Sequence, residues 1–420
     1  MDPFGLGCLL LQYTESNLPS ETIEFMNNTP PKILMFSEAH WGRHIDGPMT
    51  IALNIAQGFS LAKIPAIFVF NGHPEIFRKF EEAGVDVRRM DMPKHGLKNH
   101  FNFVYRRRYS KKLNELINDE GIEVLHLGQR EAYVLNYVKN SPILKVCQQD
   151  AGVPDPKVMS VFDKGFSLHP KKLLKKWYRK YVLWNYKRAD LVLCLSKAAR
   201  KFAIEVCRTE PDAAFVVRPG VTPRLSDAAP GKIRREFDIG PDEQIVLSVG
   251  RITKAKGVED VGKVARILSE RGKSFRFLFA GEARDEAYYD FVKQEYGQFI
   301  TFIGHRYDLH NAYMDANLFT HLSHREGLGM VIAEAFEFGL PCIGWDIPGT
   351  NEAFCDDVSG ISVPFGDHFG VADLIQGLLE NQDELDRLVQ GANERFKEFS
   401  IEGYADRILN AYGKHQKAIL

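Results

Sequence analysis

Short runs of consecutive apolar residues alternate with stretches of helical spacing along most of the chain. Ile33-Leu34-Met35-Phe36, preceded by Lys32, predicts a buried strand, Met49 to Ala62 a helix, and Ala66-Ile67-Phe68-Val69-Phe70 a second strand. A helix over Glu75–Ala83, a strand over Val85–Arg88, a helix over Tyr109–Asp119 and a strand over Val124–Leu127 follow. Leu191-Val192-Leu193-Cys194-Leu195 is another strand, with a helix starting near Ser196. Strands without polar alternation are buried on both faces, which is the mark of a parallel sheet covered by helices.

The pattern breaks between Arg218-Pro219-Gly220 and Ala229-Pro230-Gly231, then restarts. Strands are expected at Ile245–Val249, Phe275–Ala280, Leu318–Leu322, Pro341–Trp345 and Gly360–Val363, with helices at Val258–Glu270 and Met330–Phe338. The chain has 420 residues, more than one hydrophobic core usually organises. The expectation is therefore α/β: two tandem, doubly wound, Rossmann-like domains facing a central cleft at the carboxyl ends of their strands. The expected limits are an extension at 1–30, a first domain at 31–222, a linker at 223–240, a second domain at 241–398 and a terminal helical segment at 399–420.

Composition is ordinary for a globular protein, at 45% hydrophobic and 26% charged, with a net charge of −1. The charge is unevenly spread. Residues 1–225 carry 33 Lys/Arg against 23 Asp/Glu, so the remainder of a chain with 54 and 55 in total is acidic. A basic first half suits an anionic surface, phosphorylated acceptor or nucleic acid. Six cysteines without a Cys-x-x-Cys pair read as reduced core thiols rather than a disulfide frame or zinc site. No apolar run reaches the roughly 18 residues that span a bilayer, and no basic region precedes the apolar patch Leu9–Leu11, so neither a membrane span nor a signal peptide is expected. The expected location is cytoplasmic.

The most telling stretch runs from His324-Arg325-Glu326-Gly327-Leu328-Gly329-Met330 to Glu334-Ala335-Phe336. A glycine turn opening a helix is an anion cradle, because free amides and the helix dipole point outward there. Glu326 stands at its mouth and Glu334 two turns in. Carboxylates beside such a cradle accept hydrogen bonds from sugar hydroxyls, although an amphipathic helix with two solvated glutamates has the same pattern. A second stretch, Gly250-Arg251-Ile252-Thr253-Lys254-Ala255-Lys256-Gly257, directly follows the strand at Ile245–Val249. Its Arg251 and Lys256 can both face one diphosphate, the first as a fork and the second as a point charge. A solvated basic loop is the alternative.

Taken together these residues resemble the Glu-x7-Glu and Gly-Arg-x4-Lys-Gly motifs of family-4 glycosyltransferases, which have the GT-B fold. The resemblance is clear over roughly 240–400. Ala280-Gly281-Glu282 stands after a strand, Phe302-Ile303-Gly304 resembles the turn that lies against the nucleobase, and Ile347-Pro348-Gly349-Thr350-Asn351-Glu352 resembles a Gly-x-Pro-Glu turn with Asn351 in place of proline. In the first half, Trp41 to Pro48 resembles the family's glycine loop, with Gly47 in register, and Ala189–Ser196 resembles its Ala-Asp-strand-Ser segment. The family's His-x-His becomes His126-Leu127-Gly128 and its His-Asp pair Gln149-Asp150. His126 is thus the one histidine kept as a catalytic candidate.

The resemblance implies transfer of a hexose-type sugar from a nucleotide-diphosphate sugar to an acceptor hydroxyl with retention. Glu326, Arg251, Lys256 and His126 become the catalytic candidates. Gly47, Gly250, Arg251, Lys256, Gly281, Ile303, Gly304, Glu326, Gly327, Leu328, Gly329, Met330 and Glu334 become the donor-binding ones. The resemblance also implies that the terminal helix crosses back to the first domain. No Asp-x-Asp occurs, so no metal and no cofactor are expected, with Arg251 and Lys256 supplying the charge instead. Gly257–Val264 is one residue short of a P-loop, and no Gly-x-Gly-x-x-Gly follows the first strand.

Lys171 to Trp184 is basic, with Leu173, Trp177, Tyr181 and Trp184 near one stripe. Such a helix lies on an anionic membrane or packs its stripe on the sheet. The expected partners are a nucleotide sugar and a glycan or lipid-linked acceptor in cell-envelope synthesis, with contact at the inner face of the cytoplasmic membrane, and no nucleic acid. The competing readings are a nucleotide-sugar epimerase of the same fold and a non-catalytic subunit that binds a partner transferase.

Overall fold

The computed structural model describes residues 29–37, 47–70, 73–89, 103–138, 143–149 and 183–419. Most of the 1–30 extension, residues 41–46 of the Trp41–Pro48 loop, Asp150, and residues 171–182 of the basic amphipathic stretch lie outside the described residues.

The first domain runs β1 (Ile33–Ser37), α1 (Gly47–Leu61), β2 (Ala66–Phe70), α2 (Pro74–Glu82), β3 (Asp86–Arg88), α3 (Phe103–Asp119), β4 (Val124–Leu127), β5 (Leu144–Gln149), β6 (Leu191–Cys194), α4 (Lys197–Glu205) and β7 (Ala214–Val216). Its seven strands lie in the order β3-β2-β1-β4-β5-β6-β7, every pair parallel. All four residues of β4 and of β6 are buried, as the unbroken apolar runs require.

The second domain runs α5 (Lys232–Glu236), β8 (Ile245–Val249), α6 (Val258–Glu270), β9 (Arg276–Ala280), α7 (Glu286–Tyr296), β10 (Ile300–Gly304), α8 (Leu309–Asp315), β11 (Leu318–His321), α9 (Met330–Glu337), β12 (Cys342–Trp345), α10 (Thr350–Ala353), β13 (Gly360–Val363), α11 (His368–Glu380) and α12 (Gln382–Phe396). Its six strands repeat the scheme as β10-β9-β8-β11-β12-β13, again parallel. The doubly wound expectation holds in both halves. Phe302-Ile303-Gly304, expected as a turn, instead ends strand β10, with a register break between Phe302 and Gly304. Two apolar residues closing a parallel strand next to a glycine at φ 71° read alike as strand end or turn. Gly262, one of the P-loop-like glycines, lies inside α6, where an added Cβ would come within 2.3 Å of the Tyr296 ring. It serves close packing of α6 on α7.

The segment 223–240 contains α5, whose first amides are capped across the domain: Gly231 and Ile233 N–H donate to the Asp315 carboxylate. The chain passes between the domains twice, side by side. Val221 pairs with Ser400, and Val221 N–H donates to the Phe399 carbonyl at 2.8 Å. After the second crossing, α13 (Tyr404–Ile419) packs on α1 at Gly58, where an added Cβ would stand 3.5 Å from the Ile401 carbonyl oxygen. Tyr404, Ile408 and Tyr412 of α13 are buried in the same apolar core as Ile55 and Phe59 of α1.

Candidate active site

In an open parallel sheet, ligands meet the carboxyl ends of the strands where the strand order reverses. In the second domain that point lies between β8 and β11, which pair at Leu318–Val246 and Phe319–Leu247. The loops leaving these two strands are Gly250–Gly257 and Leu322–Gly329, so the two motifs that stand out in the sequence are neighbours because of the sheet order.

Their contact is backbone on backbone. Gly257 has φ 66°, and a Cβ there would come within 1.8 Å of the Leu322 carbonyl oxygen. Gly281, after β9, lies equally close to the Gly250 carbonyl oxygen, at 1.7 Å from an added Cβ. His324 N–H and Ser323 Oγ both donate to the Ala255 carbonyl, fixing the short helical turn Lys254–Lys256 to the second loop. His324 is braced from below: the Asp260 carboxylate of α6 is shared between His324 Nε2 and His368 Nε2 of α11. Burial raises the Asp260 carboxyl, but its hydrogen bonds to the two imidazoles outweigh that and hold it well below the usual range.

Lys256 Nζ pairs with Glu326 Oε1, which also lies 3.0 Å from His321 Nε2. The Glu326 side chain keeps 12% of its exposure and His321 only 3%. Burial would raise the Glu326 carboxyl. The Lys256 ammonium and the His321 contact prevail and keep it ionised, well below the usual carboxylate range. Arg251 is exposed and lines the cleft beside them.

The helix α9 begins at Gly329, in the left-handed conformation at φ 80°, with no side chain capping its first turn. Gly329, Met330 and Val331 at this end line the cleft, so the free amides of the helix start are a donor set for an anion there, as the Gly327-Leu328-Gly329 pattern implies. Just over one turn along, Glu334 accepts a hydrogen bond from Tyr313 Oη at 3.0 Å. Burial raises the Glu334 carboxyl, an effect the Tyr313 bond opposes and Glu337 adds to. Glu337 lies on the same face and accepts from the amides of Arg224 and Leu225.

One cleft of about 1120 Å³ between the domains brings together Gly47, Gly250, Arg251, Lys256, Gly281, Glu326, Gly327, Leu328, Gly329, Met330 and Glu334. Three candidates are not in its wall. Ile303 is buried in the core, and Gly304 is turned to the Gly281 amide, whose N–H its carbonyl accepts at 2.8 Å, leaving the neighbouring His305 and Arg306 to line the cleft. His126 is fully buried in β4, where Nδ1 lies 2.8 Å from Tyr412 Oη. Burial lowers its pKa to about 4. It joins the returning helix to the first sheet, and the structure gives no support to a catalytic role for it.

Other cleft residues carry no sequence signal of their own. Lys79 of α2 reaches over the Tyr307 ring, 5.3 Å from its centroid, and both line the cleft. Desolvation lowers the Lys79 pKa, and the Arg224 charge lowers it further. His321 and Tyr313 sit in apolar strand and helix patterns and show their role only through the side chains they meet. Among the described residues no group of three or more His, Cys, Asp or Glu side chains could hold a metal ion. No described helix is long and apolar enough to cross a membrane.

Residues 231–395 match the family model described as Glycosyl transferases group 1. A capsular polysaccharide biosynthesis glycosyltransferase, CapM of Staphylococcus aureus, is 30% identical over 146 residues, 34% of this chain and 38% of that protein. The alignment thus spans well under half the length of this relative. The fold extends further than the sequence likeness. A glycosyltransferase from Rickettsia africae superposes over 92% of this chain and 99% of its own, with a TM-score of 0.74 at 17% identity. The Anabaena protein HepE, solved in complex with UDP and glucose, superposes over 91% and 99% with a TM-score of 0.73, also at 17% identity. The two parallel doubly wound sheets make up the GT-B fold, as in these two solved structures.

Proposed function

We propose that this chain, a GT-B protein whose residues 231–395 form a group 1 glycosyltransferase domain, transfers a hexose-type sugar from a nucleotide-diphosphate sugar to an acceptor hydroxyl in cell-envelope or polysaccharide synthesis. The observation that carries this reading is the convergence of Arg251, Lys256, Glu326, Glu334 and the uncapped start of α9 on one interdomain cleft. A neighbour of the same fold was solved with UDP and glucose, which supports a uridine nucleotide as the first donor to try.

In this mechanism the diphosphate lies against the first turn of α9, with Arg251 and Lys256 neutralising the charge that grows as the glycosidic bond breaks. Preorganised charge of this kind contributes about 10²–10³-fold per group when removed singly. Glu326, held ionised, accepts hydroxyls of the sugar, and Glu334 accepts those of the ribose. The Lys256–Glu326 pair has a second consequence. It holds both side chains in place before the donor arrives, and the diphosphate then competes with Glu326 for the ammonium. The family resemblance supports retention as the stereochemical outcome, and the acceptor would enter from the first-domain side past Gly47 and Thr50.

The test is release of nucleoside diphosphate from a panel of nucleotide sugars, with and without candidate acceptors. Turnover of one donor to free or transferred sugar is expected. Conversion to an epimeric nucleotide sugar would establish the isomerase reading, and no donor turnover at all the non-catalytic one. Peripheral membrane contact through Lys171–Trp184 is part of the proposal. Trp184, at the end of that stretch, has its ring faced by Lys187 at 3.7 Å and Arg188 at 4.9 Å. Flotation with liposomes of anionic and of neutral composition tests it, and equal flotation would remove it.

A further inference from the structure

The amino end of α4 belongs to the first domain, yet its capping groups come largely from the second. The Glu352 carboxylate of α10 accepts from the first two amides, Lys197 N–H at 2.6 Å and Ala198 N–H at 2.8 Å. The third free amide, Ala199 N–H, donates to Ser196 Oγ at 3.0 Å in an ordinary N-cap. A serine hydroxyl has one proton to give. Ser196 gives it to the carbonyl oxygen of Gly327, at 2.5 Å across the domain boundary.

Gly327 directly follows Glu326, so this contact falls on the loop that carries the cleft carboxylate. The same loop is gripped from behind. Gly349, at φ 92°, packs so closely that an added Cβ would come within 2.6 Å of the Glu326 carbonyl oxygen and 3.0 Å of that of Gly327. Gly349 is the residue before α10, which carries Glu352. Arg395 fixes that short helix by donating to the carbonyls of Glu352 and Ala353. The Glu326–Gly327 loop and the Glu352 turn are therefore one packed unit, and both of its polar ends meet the start of α4.

We propose that Ser196 and Glu352 form a cross-domain clasp that sets the Glu326–Gly327 loop when the two domains come together. They act as positioning residues for the transfer proposed above. When the domains part, the proton of Ser196, the first amides of α4, the Gly327 carbonyl and the Glu352 carboxylate all pass to water, and the loop loses its support from the first domain. The clasp thus ties the geometry around Glu326 to closure of the cleft, so that a donor bound to the open form meets an incomplete site. This inference rests on the transferase reading for its kinetic consequence, but the closure itself is measurable without any substrate.

The test uses the full chain with Ser196→Thr, Ser196→Ala, Ser196→Asp and Glu352→Gln. Aspartate keeps the N-cap acceptor for Ala199 N–H but has no proton for the Gly327 carbonyl, whereas threonine keeps both functions. Ser196→Asp and Glu352→Gln are expected to lower kcat about tenfold or more while the melting temperature stays near that of the wild type. Ser196→Thr is expected to retain turnover that Ser196→Ala loses. Small-angle scattering without ligand and with UDP should show the Asp and Gln variants more open than the wild type. Wild-type kcat together with wild-type scattering in Glu352→Gln would overturn the clasp, and that arm decides alone if Thr does not fit the buried Ser196 site. If the wild type turns over no nucleotide sugar, the transferase reading fails, and the ligand-free scattering still decides for or against the clasp.

Discussion

Glu326 stays ionised in a half-buried site because Lys256 and His321 stand on one of its oxygens, and that pairing is what the sequence could not show. Spacing marks Glu326 and Lys256 as interesting, since each lies beside glycines in a loop after a strand. It does not reveal that they touch, which depends on β8 and β11 being neighbours. His126 illustrates the converse ambiguity. A histidine ending an apolar strand has the same pattern whether it faces a cleft or a core, and here it faces Tyr412 of a helix nearly 300 residues away. Because burial lowers its pKa to about 4, the folded chain resists the proton that the unfolded chain takes up near the ordinary value of about 6.5. Its contribution to stability is therefore complete above the unfolded value and is lost as pH falls toward the folded one. Between about pH 7.5 and pH 5 this single group should remove about 2 kcal/mol from the unfolding free energy. His126→Gln cannot gain that proton, and urea titrations at the two pH values should show a correspondingly flatter dependence. Equal slopes for the two proteins would contradict this account of His126, and a large loss of turnover in a folded His126→Gln would reinstate it as a catalyst.

Among the elements, strands were the legible part and loop contacts the illegible one. Unbroken apolar runs such as Leu191–Cys194 and Ile33–Phe36 announce a parallel sheet because both faces are covered. The three-residue strand β7 carries too few residues for a pattern, although β3, equally short, was expected at Val85–Arg88, and β10 hid behind a glycine that resembled a turn. The reason for the glycines around the site was equally hidden. Gly257, Gly281 and Gly349 are glycines because another backbone occupies the place of their side chain. Gly257→Ala should therefore disturb the site twice, through about 1–3 kcal/mol of backbone strain at positive φ and through collision with the Leu322 carbonyl. The expected result is a lower melting temperature of the second domain and loss of donor turnover. An active, equally stable Gly257→Ala protein would contradict the packing described for the two loops.

At the scale of the whole molecule, two chain crossings, at Val221 and Ser400, run together and hold the domains on either side of the cleft. The halves differ in charge, the first basic and the second acidic, and the cleft nevertheless presents Arg251, Lys256, Arg224 and Lys79 to whatever enters. That two such domains exist was legible from the break in the strand pattern near residue 220, and the second-domain wall of the cleft from the motifs after β8 and β11. The clasp at Ser196 and the first-domain wall were not legible, since contacts between domains leave no periodic signal in the sequence. In the function proposed above, Arg251 and Lys256 supply the charge that receives a leaving diphosphate. The most direct measurement is kcat for nucleoside diphosphate release in the double variant Arg251→Ala, Lys256→Ala, with the donor that the wild type prefers and with folding checked by circular dichroism. The account predicts a fall of at least about 10³-fold with the fold intact, whereas near-normal turnover in the double variant would contradict it.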